Sequence, residues 1–223
     1  LGPIAIHASY LVNLAGPEPT FLERSIALLA DELRVAPGFR ARYVNVHVGS
    51  HRERGVDAGI ASVADGIARV LAVADADADA DAEAGAVADG ESGLVVDATM
   101  LVLENSAGSG FGLGTDVAEL AAIADAIAAR GVPRDRVGFC LDAAHAWGAG
   151  IDLSDPAAID GFLDDFDRRI GLDRLVMVHL NDSKVERGSN LDRHEHLGAG
   201  RIGEAGLAHL LTHPRLAGAT YYL

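Results

Sequence analysis

"RVGFCLD" (136–142) is a short apolar run that ends on an acid, and the residues after it, "AAHAWG" (143–148), supply a histidine three places on. A continuous apolar run of this length suits a strand buried on both faces. Its polar end suits a strand that delivers a functional group at its C-terminal tip. Five further runs share the first property: "PIAI" (3–6), "RYVNVHV" (42–48), "MLVLE" (100–104), "RLVMVHL" (174–180) and "ATYYL" (219–223). Between them lie helical patterns. In "PTFLERSIALLADELRVA" (19–36), Leu22, Ile26, Leu29 and Leu33 recur at helical spacing, and similar patterns occupy roughly 56–74, 115–130, 155–170 and 204–211. Asp116 and Glu119 near one helix start, and Pro156 near another, act as first-turn signals.

Strand and helix thus alternate five times before a last strand, the order of a parallel sheet covered by helices. The strand ends choose between an open sheet and a barrel. His7 follows the first run, His47 stands near the end of the second, Glu104 ends the third, Asp142 the fourth, and His179 stands near the end of the fifth. Chemistry at the C-terminal ends of successive strands is the pattern of a (β/α)8 barrel. The steps between these residues are 40, 57, 38 and 37 residues. The long step contains "DADADADAEAGAVADGESG" (75–93), which reads as a low-complexity acidic insertion forming a solvated loop within a single domain, 1–223. Imidazoles and carboxylates converging from adjacent strands make a mixed nitrogen and oxygen pocket suited to zinc or manganese.

Composition narrows the class. The 223 residues carry a formal charge of −15 and one cysteine, Cys140. One cysteine excludes an intrachain disulfide and fits a reducing cytoplasm; its apolar neighbours mark it as a buried strand thiol rather than a nucleophile. No apolar stretch is long enough to span a membrane, and the start is not a signal peptide. The acidic balance weakens a polyanion partner without excluding one, because the acidic insertion alone holds seven acids and no base.

Spacing leaves one ligand pair open. Residues two apart in an extended segment point the same way. In "NLDRHEHLGAG" (190–200), Asp192 with His194 and His194 with His196 are equally good forks. Asn105, Asn181 and Asp182 read as residues that orient ligands. "SAGSG" and "LGAGRIG" read as turns or as amides offered to phosphate, the turn being favoured. His209 and His213 read as surface or helix-end residues.

The segments "HASYLVNLA" (7–15), "NVHVGSH" (45–51), "LENSAGSG" (103–110), "CLDAAHAWGAGID" (140–152), "HLNDSK" (179–184) and "GSNLDRHEHLGAGRIG" (188–203) closely resemble the signature segments of the endonuclease IV family. These are apurinic/apyrimidinic endonucleases of DNA base excision repair on a xylose isomerase-like TIM barrel. The resemblance implies three zinc ions, with manganese the alternative. His7 and His47 would hold the first, Glu104 would bridge first and second, Asp142 and His179 would complete the second, and His145, Asp192 and His194 would hold the third. It thereby selects His194 over His196 as the fork partner of Asp192. It implies hydrolysis of the phosphodiester 5′ to an abasic site in double-stranded DNA, with a metal-bound hydroxide as nucleophile and a 3′-hydroxyl product. Tyr10 and Leu11 would enter the duplex beside the lesion, although helix-start packing is an equal reading of the residues alone. His51, Lys184 and Arg193 are further expected DNA contacts, in a rim that also holds Arg52, Arg54, Arg187 and Arg201 and is diluted by Glu53, Glu186 and Glu195.

The family pattern has two βα units before the strand at "PIAI" and a metal-binding glutamate after the strand at "ATYYL". This sequence therefore reads as about six strands of an eight-stranded barrel, and as part of a longer, monomeric, cytoplasmic enzyme. A metal-dependent sugar isomerase or epimerase on the same barrel, or an inactive fragment that binds only DNA or metal, are the competing readings.

Overall fold

The structure is a computed structural model that describes residues 2–83 and 99–223. In chain order its elements are β1 (Ile4–His7), α1 (Pro19–Val35), β2 (Ala41–His47), α2 (Val56–Glu83), β3 (Met100–Glu104), α3 (Val117–Ala128), β4 (Val137–Asp142), α4 (Ala143–Gly148), α5 (Pro156–Arg169), β5 (Leu175–His179), β6 (Asp182–Ser183), β7 (His194–Glu195), α6 (Gly203–Thr212) and β8 (Thr220–Tyr222).

Six strands form one parallel sheet in the order β1-β2-β3-β4-β5-β8. Each long strand lies beside its successor, so the order never reverses and there is no switch point of the doubly wound kind. With right-handed crossovers, all the helices then fall on one side. The other side is the interior of a barrel, and the two faces have separate cores. Between sheet and helices pack Val44, Leu101, Phe139, Leu141 and Val178 with Leu29, Ile67, Ile123 and Phe166. Inside the curl of the sheet lies a second cluster of Tyr43, Val102, Cys140 and Met177, flanked by Ala5, Met100 and Tyr222. The Tyr222 hydroxyl donates across this interior to the Pro3 carbonyl, 2.7 Å away. The architecture is an incomplete TIM barrel, as expected.

Three local features go beyond the strand and helix pattern read from the sequence. α2 runs through Glu83, so the first part of the acidic segment is helix rather than loop. Alanine is the best helix former, which carries the helix onward. Asp75 is also held by a two-pronged ion pair with Arg136 at 2.8 and 3.0 Å. The rest of that segment, 84–93, lies outside the described residues. Asp142 and His145 sit at a strand-to-helix junction: Asp142 is the N-cap of α4 and accepts the His145 N–H at 2.8 Å. The segment after His179 contains a two-residue antiparallel ladder, with Asp182 opposite Glu195 and Ser183 opposite His194.

Candidate metal centre

Register places the donors. His47 lies opposite Glu104, and Asp142 opposite His179, at the same end of the sheet. Glu104 is the centre, with 1 % of its surface exposed. Its Oε2 faces His7 Nε2 at 3.1 Å and His47 Nε2 at 3.5 Å. Its Oε1 faces His179 Nδ1 and His145 Nδ1, both at 3.2 Å. Each oxygen therefore addresses its own pair of imidazoles. Asp142 Oδ2 is 3.5 Å from His179 Nδ1 and 3.8 Å from His194 Nε2. Asp192 closes the other end, 3.2 Å from His145 Nε2 and 3.1 Å from His194 Nε2.

All eight side chains expected as ligands thus meet in one cluster at the barrel mouth. Their closest sets cut across the expected partition: His7, Glu104 and His179; His47, Glu104 and His145; Asp142, His145 and His194. His194, whose ring lies 5.7 Å from that of His145, is in the cluster, and His196 is exposed on the next turn outside it.

Without cations the cluster satisfies itself with protons. Burial alone would raise the Glu104 carboxyl, but hydrogen bonds from His145, His179 and His7 hold it well below the usual range. Burial likewise opposes charge on His145, yet the carboxylates of Asp192 and Glu104 outweigh it and hold its pKa at about 11. The same contest raises His179, through Asp142, Cys140 and Glu104. Hydrogen bonds to Asp192 raise His194, and those to Glu104 raise His7. Bonds from His145 and His194 push Asp192 far down. His47, lowered mainly by burial, is the one set toward the neutral form.

The donor set fits divalent metal. The Nδ1 atoms of His7 and His145 lie 2.9 and 3.0 Å from the carbonyls of Ala8 and Asn105. A carbonyl only accepts, so Nδ1 keeps its proton, and Nε2 is the nitrogen that would give up its own to a cation. Three asparagines aim the carboxylates. Asn105 brackets the Asp142 backbone, accepting its N–H at 2.6 Å and donating to its carbonyl at 3.2 Å. Asn181 donates to Asp142 Oδ2 at 2.7 Å and accepts the Ala144 N–H. Asn45, not singled out in the sequence, donates to Glu104 Oε2 at 2.5 Å. Its signal was there: it is a polar residue two places before His47, hence on the same face of the strand.

Asp182 does not face the donors. It is fully buried and accepts main-chain N–H groups, including those of Gly200, Ile202 and Gly203. Three amides of "LGAGRIG" are therefore spent on Asp182, and those of Ala199 and Arg201 go to the carbonyls of His196 and Ser183, which supports the turn reading. In "SAGSG" the Gly108 N–H likewise goes to Ser106 Oγ.

A cavity of about 700 Å³ opens from His47, His145 and Asp192 outward to Tyr10, Leu11 and Arg52. Tyr10 and Leu11 are 84 % and 69 % exposed, so they project rather than pack. His51 is buried; it accepts the Gly55 N–H through Nδ1 and its ring rests against Phe111. Lys184 and Arg193 stand exposed on the loop that carries Asp192 and His194, Lys184 with Glu195 at 3.9 Å. Arg187 and Arg201 pair with Asp152 and Glu186. Cys140 is enclosed in the barrel interior, and burial pushes its thiol up to about 12.

A separate group, Asp160 with His209 and His213, ties α5 to the end of α6. His213 is buried at the C-cap of α6, so of the two readings the helix-end one holds for it. Its Nδ1 accepts the Arg215 N–H, so Nε2 carries the proton and donates to Asp160. That tautomer is the reverse of the one at the barrel mouth and makes this group a helix clamp.

Comparison with known proteins agrees with this fold. The family model for a xylose isomerase-like TIM barrel matches residues 2–222. A protein named probable endonuclease 4 from Methanoculleus marisnigri is 42 % identical over 96 % of this chain and 67 % of its own length. The crystal structure of endonuclease IV from Thermus thermophilus superposes with a TM-score of 0.75 at 36 % identity, covering 98 % of this chain and 67 % of that one. A D-tagatose 3-epimerase-like protein superposes with a TM-score of 0.65 at 17 % identity, over 98 % of this chain and 69 % of its own, a likeness of fold alone. The chain spans about two thirds of the length of the endonuclease relatives it matches. It belongs to the endonuclease IV family of xylose isomerase-like TIM barrels.

Proposed function

We propose that this barrel mouth is the centre of a zinc-dependent AP endonuclease that hydrolyses the phosphodiester 5′ to an abasic site in duplex DNA and leaves a 3′-hydroxyl. The observation that carries the reading is Glu104, a buried carboxylate whose two oxygens each face a different pair of imidazoles. That is the arrangement of a residue that bridges two cations. His7 and His47 would complete one set, Asp142 and His179 the second, and His145, Asp192 and His194 a third.

Zinc in these sets would supply Lewis acidity toward phosphate and leaving-group oxygens, and an acidified water at neutral pH. The chain's own groups do the rest. The carboxylates of Glu104, Asp142 and Asp192 would offset the mutual repulsion of neighbouring cations, leaving a positive potential that draws one phosphate. His7 and His145, fixed by carbonyls through Nδ1, hold their Nε2 lone pairs in place before substrate arrives. The cavity beside His47 and His145 is large enough for a sugar and phosphate turned out of the helix. An abasic sugar has no base to unstack, which favours damaged over intact DNA. Tyr10 and Leu11 project where an apolar wedge would fill the gap it leaves. Lys184, Arg193 and Arg52 would meet the flanking phosphates. His51 would steady the loop that carries Arg52.

The test is incision of an end-labelled duplex carrying one tetrahydrofuran abasic analogue, which cannot be cleaved by β-elimination. The full-length protein with zinc should cut on the 5′ side and leave an end that a polymerase extends. A duplex bound but left intact, or turnover of a ketose instead, would overturn the reading.

A further inference from the structure

We propose that Asp182 is the positioning residue of the third metal set: it locks Gly200–Gly203 to the base of the β6–β7 hairpin and so fixes where Asp192 and His194 stand. This rests on the three-metal reading above.

Both Asp182 and Ser183 are fully buried. The Asp182 carboxylate takes the N–H groups of Ser183 at 2.8 Å and Ile202 at 2.9 Å on Oδ1, and those of Gly200 at 3.0 Å and Gly203 at 3.2 Å on Oδ2. The Ser183 carbonyl accepts the Arg201 N–H at 2.8 Å. The chain after the hairpin is thereby folded back onto the two residues that begin it.

The hairpin needs this anchor. Its ladder is only two residue pairs long, too short to stand alone. Its outbound side is tied to the end of α4: Trp147 Nε1 donates to the Val185 carbonyl at 2.9 Å, and the Gly188 and Asn190 N–H groups donate to the carbonyls of Trp147 and Gly148. The return side, which carries Asp192 and His194, has the Lys184–Arg193 backbone bond, the ladder itself, and then the Asp182 anchor. A side chain at position 200 would place its Cβ 2.5 Å from both Asp182 Oδ1 and the Ser183 carbonyl oxygen. The glycine is what lets the loop close on the carboxylate.

Asp182 touches none of the donors, so its effect should be selective. The amide of Asp182→Asn would turn N–H groups toward N–H groups and release the loop. Gly200→Ala perturbs the same contact while keeping the carboxylate. Zinc content and stepwise zinc affinity of the full-length protein are measured for wild type and both variants, with thermal melting alongside. Both variants should keep two ions near wild-type affinity and bind the third about 10–100-fold more weakly. Three ions at wild-type affinity in a folded variant, or an equal loss of all three, overturns the proposal. If Asp182→Asn does not fold, Gly200→Ala decides by the same criteria. Fewer than three ions in wild type sinks the three-metal reading itself, a separate outcome.

Discussion

Asn45 offers the sharpest separation of stability from function. Its carboxamide is 1 % exposed; Nδ2 donates to Glu104 Oε2 at 2.5 Å, while Oδ1 is buried without a partner. A hydrogen bond to a charged group contributes about 1.5–3 kcal/mol, and an unsatisfied buried acceptor costs about 1–3 kcal/mol. Asn45→Leu, which keeps the same branched side-chain skeleton though with bulkier methyl groups, removes both terms at once. They have opposite signs and similar size, so net stability should move by about 1 kcal/mol, or roughly 2–4 °C in Tm for a domain of this size. The metal centre has no such compensation. Glu104 Oε2 loses the donor that aims it between His7 and His47, and loss of an orienting partner typically weakens metal affinity about 10–100-fold. Competition with a zinc-binding dye reads the affinity, and a thermal melt of the metal-free protein reads the stability. A Tm lowered by more than about 8 °C with unchanged affinity would show that Asn45 is core packing and would refute the reasoning.

His194→Ala should remove one zinc and His196→Ala none, by elemental analysis of dialysed protein; the reverse result would put the register of the loop in error. Gly206→Ala would set a Cβ 2.0 Å from the Leu153 carbonyl oxygen, and overpacking of that kind costs about 1–3 kcal/mol. Gly161→Ala on the exposed face of α5 meets nothing within 4 Å and should stabilise by about 1 kcal/mol. Equal melting shifts in the two would contradict the packing described. The Asp160 carboxyl is held below its usual range by hydrogen bonds from His209 and His213. A lowered folded pKa means stability present at neutral pH and lost as pH falls through the folded value. Asp160→Asn should therefore lower Tm at neutral pH and converge with wild type in acid; a constant gap would exclude the clamp.

Much of this was legible before any coordinates. The six strands of the sheet announced themselves because strands buried on both faces are continuously apolar, and their polar ends pointed to the mouth. What stayed hidden was short or doubly interpretable. "AAHAWG" spans too few residues for a periodicity, so α4 left no helical signal. The hairpin ladder has two residues a side. Asn45 sits inside an apolar run, where one polar residue looks like noise until Glu104 is seen against it. Asp182 was expected to orient a ligand side chain, and its partners are backbone amides, three of them from 18 to 21 residues later in the chain. The Ala-Asp repeat looked like a loop because its composition is monotonous, yet alanine prolonged α2 and Arg136 caught Asp75. The choice between His194 and His196 could not come from spacing, since residues two apart are equivalent in an extended segment. Pairing with Ser183 opposite His194 turns that ring toward Asp142 and Asp192.

The proposed function requires the eight side chains at the barrel mouth to bind three cations. An anomalous difference map of zinc-soaked crystals of the full-length protein, recorded above the zinc edge, tests it most directly. The account predicts one peak between Glu104 and the pair His7 and His47, one between Glu104, Asp142 and His179, one among His145, Asp192 and His194, and none at Asp160. A single peak at the mouth, or a zinc on His209 and His213 with the mouth empty, would contradict it.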